Sequence, residues 1–254
     1  MTSRLGAALI TLRVLGTDVA VRADVAEQFA DLPRSDARPT AVVTDEAPAT
    51  ALAELTRLAV EHSPLLCIHA GVVSGPDGLI AIPGQSGLGK TTLVAALVRA
   101  GFGYVSDEAL AVDRADGQVT AFPRPLALAA DVWALIGPGI GAAPPDGAER
   151  LVAPALVGWV APDGGRVRDI VLAERARRSD GPAHIEPAAR GDAVPALLER
   201  AFNHYRDPEG SFRAVVGMVR EARVWRASYA QAPDLAERLA GLLGVQSAAA
   251  TEAR

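Results

Sequence analysis

The residues with the clearest chemical meaning stand at positions 84–91, which read Gly-Gln-Ser-Gly-Leu-Gly-Lys-Thr. This is the full G-x-x-x-x-G-K-[ST] pattern of a phosphate-binding loop, whose glycines let backbone N–H groups turn inward around phosphate oxygens. The following helix N-terminus adds positive charge. At these offsets Lys90 reaches the β- and γ-phosphates and the Thr91 hydroxyl binds Mg²⁺. The pattern predicts ATP and Mg²⁺ as ligands, with the nucleotide contacted by Gly84, Gln85, Ser86, Gly87, Leu88, Gly89, Lys90, Thr91 and Thr92.

The flanking sequence argues against the alternative of a glycine-rich turn with an incidental lysine. Residues 78–82 form an apolar run typical of a buried strand, and apolar residues recur at helical spacing over positions 93–98. Gly101 stands where glycine commonly ends a helix. Strand, loop and helix thus follow in the order that phosphate binding requires.

Asp107 and Glu108 are the strongest candidates for the carboxylates that phosphoryl transfer needs, one as metal ligand and one as base for the attacking hydroxyl. They follow the short run 103–106, where strand alternation sends neighbouring side chains to opposite sides. A twist or bulge would bring both to one site. The alternative is a solvated pair of acids in a turn.

His69 lies in the middle of an apolar strand candidate, where a hydrogen-bonded core histidine is the simplest interpretation. Its strand is expected to pair with the strand that enters the phosphate loop, which favours a place at the site. Arg124, between two prolines, is a rigidly held cation that is suited either to a phosphate or acceptor carboxylate or to a surface ion pair. Arg226 is better explained as a solvated strand residue, and His204 as a helix-end residue.

Composition excludes several function classes. The formal net charge of −5 means that the chain lacks the basic electrostatic field of nucleic-acid-binding proteins. With 254 residues, of which 50% are hydrophobic, it has enough apolar content for a large core. Its one cysteine, Cys67, lies among apolar neighbours and is expected to be buried. The apolar stretch 5–15 is interrupted by Thr11 and Arg13 and is too short for a membrane span. We expect a cytoplasmic, soluble protein without a membrane partner.

Two hairpins dominate the pattern around the loop. Residues 65–73 and 79–83 are strand candidates joined by the turn 74–78, and strands 109–112 and 119–122 flank the turn 113–117. Because a parallel doubly wound fold would place a helix before the loop, the α/β fold is expected to have a mixed sheet.

The whole chain divides into a small N-terminal β-rich appendage (residues 1–46), a main domain (47–245) and a tail (246–254). Strands are predicted in the appendage at 12–15, 18–22 and 40–44, with a loop at 32–39. The main domain opens with a helix at 47–61, and the stretch 126–162 is rich in glycine and proline, with loops at 137–141 and 144–147. A strand at 166–173, helices at 193–202 and 211–222, a strand at 224–229 and a helix at 234–243 follow, with Ser211 as a helix N-cap. The tail is expected to be disordered.

The order of these motifs resembles the HPr kinase/phosphorylase family and its kinase relatives. The resemblance covers about residues 65–128: Ile-His-Ala-Gly at 68–71, a turn, a strand, the phosphate loop, a helix, Val-Ser-Asp-Glu at 105–108 and Phe-Pro-Arg-Pro-Leu at 122–126. It implies a nucleotide-binding core similar to phosphoenolpyruvate carboxykinase. It also implies that Asp107 is the base toward an acceptor serine, that Glu108 helps to hold Mg²⁺, and that His69 lies near the acid.

The chain does not contain the glycine-rich signature or the C-terminal region that the bifunctional members use for phosphorolysis. It looks more like divergent relatives encoded with peptide-tailoring systems, some of which phosphorylate a serine of a lasso-peptide precursor. We therefore expect an ATP- and Mg²⁺-dependent kinase with Asp107, His69 and Lys90 as catalytic residues and a peptide or protein serine as acceptor. A small-molecule hydroxyl kinase and an ATP-binding regulatory protein are the alternatives, and formation of a homo-oligomer is left open.

Overall fold

The computed structural model describes residues 8–84, 89–136, 140–161, 163–176 and 181–245. The N-terminal appendage contains β1 (Leu9–Val14), β2 (Thr17–Arg22), α1 (Ala23–Ala26) and β3 (Ala41–Val42). β1 and β2 form the predicted antiparallel hairpin, and β3 pairs in parallel with β2 but is shorter than predicted. α2 (Pro48–His62) follows, close to the predicted helix bounds.

The rest of the chain builds a mixed sheet with helices on both faces, as the hairpin pattern predicts. Its elements are β4 (Leu66–Gly75), β5 (Gly78–Pro83), α3 (Lys90–Arg99), β6 (Gly103–Ser106), β7 (Ala109–Val112), β8 (Val119–Thr120), β9 (Leu126–Ala129), α4 (Ala130–Ile136), β10 (Glu149–Val152), α5 (Pro154–Val157), β11 (Val167–Arg175), β12 (His184–Pro187), α6 (Arg190–Leu198), α7 (Pro208–Glu221), β13 (Arg223–Tyr229) and α8 (Ala232–Leu243). The strands of the mixed sheet are ordered β12-β13-β11-β5-β4-β7-β8, and β6 also pairs with β4, whereas β9 and β10 form a separate two-stranded sheet.

Both predicted hairpins are confirmed, since β4 pairs antiparallel with β5 and β7 pairs antiparallel with β8. β8 ends at Thr120, two residues before the predicted end. On the other side of β5, β11 runs parallel to it and β13 runs parallel to β11. The strand that enters the phosphate loop is therefore held centrally, with one antiparallel and one parallel neighbour.

β5 is apolar at successive positions because both faces of the sheet are covered. Ile80 and Ile82 pack in a cluster with α3 and α8, whereas Leu79 and Ala81 pack in a cluster with α6 and α7. α3 lies very close to β4: a Cβ added at Gly71 would stand 2.5 Å from Val94 Cγ2. Glycine at this position lets the loop helix pack onto the sheet.

The N-terminal appendage is joined to the main domain through a shared hydrophobic cluster. This cluster combines residues of β1 and β2, such as Leu12 and Val21, with Leu55 of α2 and Ala111 of β7. The free Cys67 lies in the same cluster and is buried, as predicted. α2, which begins the predicted main domain, is thus packed between the small sheet and the central one.

Several sequence-based predictions are wrong. The glycine- and proline-rich stretch 126–162 contains β9, α4, β10 and α5, none of which was predicted, whereas residues 140–141 and 144–147 are loops as predicted. The exposed edge strand β12 was not predicted. α6 ends at Leu198 rather than at residue 202. α7 begins at Pro208, because the Asp207 carboxylate, and not Ser211, accepts the capping hydrogen bond, from Gly210 N at 2.9 Å.

The predicted disordered tail at 246–254 lies outside the described residues. Among the described residues, no helix combines the length and apolar character needed to cross a bilayer.

Candidate active site

The two ends of the phosphate-loop motif lie where the sequence places them. Gly84 follows β5 directly, and Gly89 has a φ of +77°, a left-handed conformation that favours glycine, immediately before α3 begins at Lys90. Gln85, Ser86, Gly87 and Leu88, predicted to contact the nucleotide, lie outside the described residues.

Lys90 lies against the start of its own loop. A Cβ added at Gly84 would stand 3.1 Å from Lys90 Cδ, so the aliphatic stem of the lysine crosses the glycine. Burial lowers the pKa of Lys90, and the negative charges of Glu108 and Asp107 oppose that effect. The lysine is thus held close to the two acids. Thr92 lies half-buried in the first turn of α3.

The Thr91 hydroxyl donates to Asp107 Oδ2 at 2.8 Å. The other oxygen of this carboxylate, Oδ1, accepts from the Tyr104 hydroxyl at 2.9 Å and lies 3.4 Å from Arg124 Nε. Asp107 is only 2% exposed, and its carboxylate is compensated by two hydroxyl groups and a cation, as burial of a charge requires. Burial also raises the pKa of Tyr104 well above its usual value, so its hydroxyl remains a donor.

Glu108 points to a different group of neighbours. Its Oε1 lies 3.6 Å from His69 Nε2, and its Oε2 lies 3.4 Å from Arg124 Nη1. The Glu108 side chain is 27% exposed, in contrast to that of Asp107. Burial raises the pKa of Glu108 and the charge of Asp107 raises it further, against the opposing effects of Arg124 and Lys90.

A bend between β6 and β7 sends the two neighbouring carboxylates in different directions within one site. Both strands pair with β4, and the Ser106 hydroxyl accepts from the backbone N–H groups of Glu108, at 3.2 Å, and Ala109, at 3.0 Å. These two hydrogen bonds shape the bend locally. Asp107 therefore meets the start of α3, while Glu108 meets His69 on β4.

His69 is neutral at physiological pH. Burial lowers the pKa of its imidazole from 6.5 to about 4, and the nearby cations Lys90, Arg124 and Arg200 contribute, against the opposing charge of Asp107. Its backbone N–H donates to Arg200 O at 2.8 Å, and its ring lies 5.3 Å from that of Phe202. His69 therefore lies on β4 of the mixed sheet and at the same time next to Glu108.

Arg124 is an interior residue that pairs with both acids, so the alternative of a surface ion pair does not apply. Its Nη1 also donates to Thr56 Oγ1 at 3.3 Å, and its backbone oxygen accepts from Tyr104 at 2.9 Å. Burial lowers the pKa of Arg124, but Asp107 and Glu108 outweigh this effect and raise it. The single positive charge of the guanidinium offsets part of the negative charge of the acid pair.

Sequence reasoning missed Tyr104 and Arg200. Arg200 lines a cavity of about 530 Å³ that also includes Gly84, at the start of the phosphate-loop motif, and Arg226. Arg226 itself pairs with Asp192 at 2.9 Å, and His204 Nδ1 lies 3.0 Å from Ala201 O at the exposed end of its segment. No spacing signal marks Arg200, which follows a helix end, whereas Tyr104 could have been noticed from its position three residues before Asp107.

A scan against protein-family models finds no match to this chain, and a search of curated proteins finds no similar sequence. The resemblance to the HPr kinase/phosphorylase family therefore stays a prediction.

Proposed function

We propose that the protein is an ATP- and Mg²⁺-dependent kinase that transfers the γ-phosphoryl group to a hydroxyl, specifically a serine of a peptide or protein. The main supporting observation is the 2.8 Å hydrogen bond from Thr91, the loop hydroxyl, to Asp107. It joins the predicted metal-binding position of the loop to a carboxylate in the bend between β6 and β7, and a loop hydroxyl and an aspartate are the groups that hold Mg²⁺ in nucleotide-binding P-loops. The hairpin that leads into the loop also supports a core similar to that of phosphoenolpyruvate carboxykinase.

The oxygen atoms at this point suit Mg²⁺, which prefers oxygen ligands and is commonly held by one or two carboxylates together with substrate phosphates. Thr91 and Asp107 would hold the ion, with Glu108 as the nearest further carboxylate. Within the described ranges, no cluster of three or more His, Cys, Asp or Glu side chains is able to hold a metal. When bound, Mg²⁺ would neutralise charge on the phosphates during transfer.

The contacts support a division of roles opposite to the one implied by the family resemblance. Asp107 is buried, its Oδ2 accepts from Thr91 at the start of α3, and its Oδ1 accepts from Tyr104, so both oxygens already have hydrogen-bond donors. Glu108 is partly exposed and has a raised pKa, which suits a general base better, because an effective base has a pKa closer to the working pH. We therefore assign the metal side to Asp107 and the acceptor side to Glu108.

The proposed reaction follows from this assignment. The acceptor hydroxyl oxygen forms a bond to the γ-phosphorus as the bond from that phosphorus to the β,γ-bridging oxygen breaks and ADP leaves. Glu108 takes the hydroxyl proton. Neutral His69 orients the Glu108 carboxylate from 3.6 Å, and Lys90 and Arg124 stabilise negative charge at the site.

Paired isosteric variants test the assignment. Glu108→Gln is expected to keep Mg·ATP affinity within several-fold and to lower turnover by ~10²-fold or more, whereas Asp107→Asn is expected to raise the Mg²⁺ concentration needed for half-maximal ATP binding. Glu237→Gln, an exposed change on α8, is the control. Calorimetric titrations and phosphopeptide mass spectrometry provide the two readouts. A normal Mg²⁺ requirement in Asp107→Asn together with a raised one in Glu108→Gln would reverse the roles.

A further inference from the structure

A groove beside α2 opens onto the acceptor side of the candidate site. It has a volume of about 610 Å³, within the range typical of ligand sites. We call it the α2 groove and define it by Leu52, Thr56, Leu151, Phe202 and Tyr205, which line it together with Glu108 and Arg124.

The α2 groove lies apart from the cavity beside the phosphate loop. Gly84 and Arg200 line that second cavity, whereas Glu108 lines the groove. Phe202 connects the groove to the site, because its ring lies 5.3 Å from the His69 ring. A molecule bound in the groove would therefore be next to Glu108.

The lining offers apolar surface with few available hydrogen-bonding groups. Thr56 Oγ1 donates to Leu52 O at 2.8 Å and accepts from Arg124. The amide of Asn203, a further lining residue, is occupied by Leu65 O at 2.9 Å and Cys67 N at 3.0 Å. A sugar needs many new hydrogen bonds to replace those it makes with water, which these engaged side chains do not supply.

Three charged side chains at the rim already have partners. Arg57 and Glu61 form an i,i+4 ion pair at 2.8 Å, and the Arg206 guanidinium lies 5.9 Å from the centre of the Tyr205 ring. The carboxylate of a free amino acid would find a cationic partner only by breaking such contacts. Exposed aromatic rings at a groove are typical of recognition surfaces for apolar side chains; Phe202 is 39% exposed and Tyr205 is 65% exposed.

We propose that the α2 groove binds the acceptor as a peptide segment and holds an apolar side chain next to the hydroxyl presented to Glu108. The inference rests on the proposed kinase function and specifies its substrate class. Because one well-buried apolar group commonly changes discrimination by ~10-fold or more, we expect a serine flanked by apolar residues to bind at least ~10-fold more tightly than one flanked by glycine.

Measuring the binding of peptides directly tests the proposed role of the α2 groove without depending on turnover. The probes are fluorescently labelled, end-blocked pentapeptides with a central serine flanked by two leucines or by two glycines. Fluorescence anisotropy gives their Kd in the presence of Mg²⁺ and a non-hydrolysable ATP analogue, and unlabelled serine and glucose serve as competitors. Transfer from ATP to the same peptides is followed separately by mass spectrometry.

Two groove variants and two controls locate the binding. Tyr205→Ala removes an exposed ring, and Ala53→Glu places a charge in the groove at an exposed helical position. Phe212→Ala removes an exposed ring on α7, and Thr50→Glu adds the same charge on α2; both control residues are exposed and outside the groove lining. The groove variants are expected to weaken binding of the leucine peptide by ~10-fold or more, and the controls by less than ~2-fold. Thermal melting verifies that each variant folds.

The possible results separate this inference from the proposed function. Tight, groove-dependent binding without phosphate transfer would support the groove and contradict the kinase. Transfer that is equal for both peptides and insensitive to Tyr205→Ala and Ala53→Glu would support the kinase and overturn the groove. Competition by free serine or glucose, or a dimer that Ala53→Glu dissociates while no peptide binds, would also overturn it.

Discussion

The buried, neutral imidazole of His69 leads to a specific prediction about stability against pH. In the unfolded chain this group takes up a proton below about pH 6.5, whereas in the folded protein it does so only near pH 4. Between these values the unfolded state binds more protons, so the contribution of His69 to the free energy of unfolding falls as the pH falls. The gap corresponds to at most ~3 kcal/mol, at about 1.36 kcal/mol per pKa unit. Solvent screening at this partly exposed position reduces the expected effect to ~1–2 kcal/mol.

Urea denaturation of wild type and His69→Gln from about pH 7 to about pH 4 measures this contribution. Other groups titrate in the same range; the pKa of Glu108, for example, is raised, so its own contribution has the opposite sign. The quantity compared is therefore the loss of unfolding free energy between about pH 7 and about pH 4 in wild type and in His69→Gln. Wild type should lose ~1–2 kcal/mol more than His69→Gln over this range, and His62→Gln, an exposed change at the end of α2, should behave like wild type. Parallel curves for wild type and His69→Gln would refute the buried, neutral histidine.

Three further changes test the contacts around the site. Lys90→Ala should weaken Mg·ATP binding by ~10-fold or more by calorimetry, because it removes a charge-assisted contact to phosphate, and unchanged affinity in a folded variant would contradict the phosphate loop. Tyr104→Phe should lower the free energy of unfolding in urea by ~1–3 kcal/mol because it leaves buried acceptors without a donor, while Tyr205→Phe, at an exposed ring, should change it little; equal effects would contradict the buried network. Gly71→Ala should cost ~1–3 kcal/mol through its 2.5 Å approach to Val94, and it should cost less in a Val94→Ala background than in wild type; an equal cost in both backgrounds would show that crowding is not the cause.

The hairpins were predictable because their signals are local. Alternating apolar residues on either side of glycine, proline and aspartate turns determine β4, β5, β7 and β8 over short distances. The elements within 126–162 could not be predicted in the same way because they are short and depend on partners elsewhere. β9 and β10, for example, stabilise each other across the long intervening segment, and no four-residue run reveals such pairing by itself.

Residue types and spacing identified the members of the site but not their partners. The order of motifs was enough to select Thr91, Asp107, Glu108 and His69. Which acid meets the loop depends on the bend at Ser106, which is a three-dimensional feature of the paired strands. Tyr104 contacts Asp107 only because both lie in the interior, and such burial cannot be derived from the spacing alone.

Phosphate transfer to a defined acceptor tests the central claim most directly. Wild-type protein and Glu108→Gln would be incubated with γ-labelled Mg·ATP and the leucine-flanked serine peptide, and the products analysed by mass spectrometry. We predict Mg²⁺-dependent phosphorylation of the serine by wild type and at least ~10²-fold slower phosphorylation by Glu108→Gln. Binding of Mg·ATP without transfer of its γ-phosphate to this peptide, to other hydroxyl acceptors or to water would contradict the account and indicate a nucleotide-binding regulatory protein.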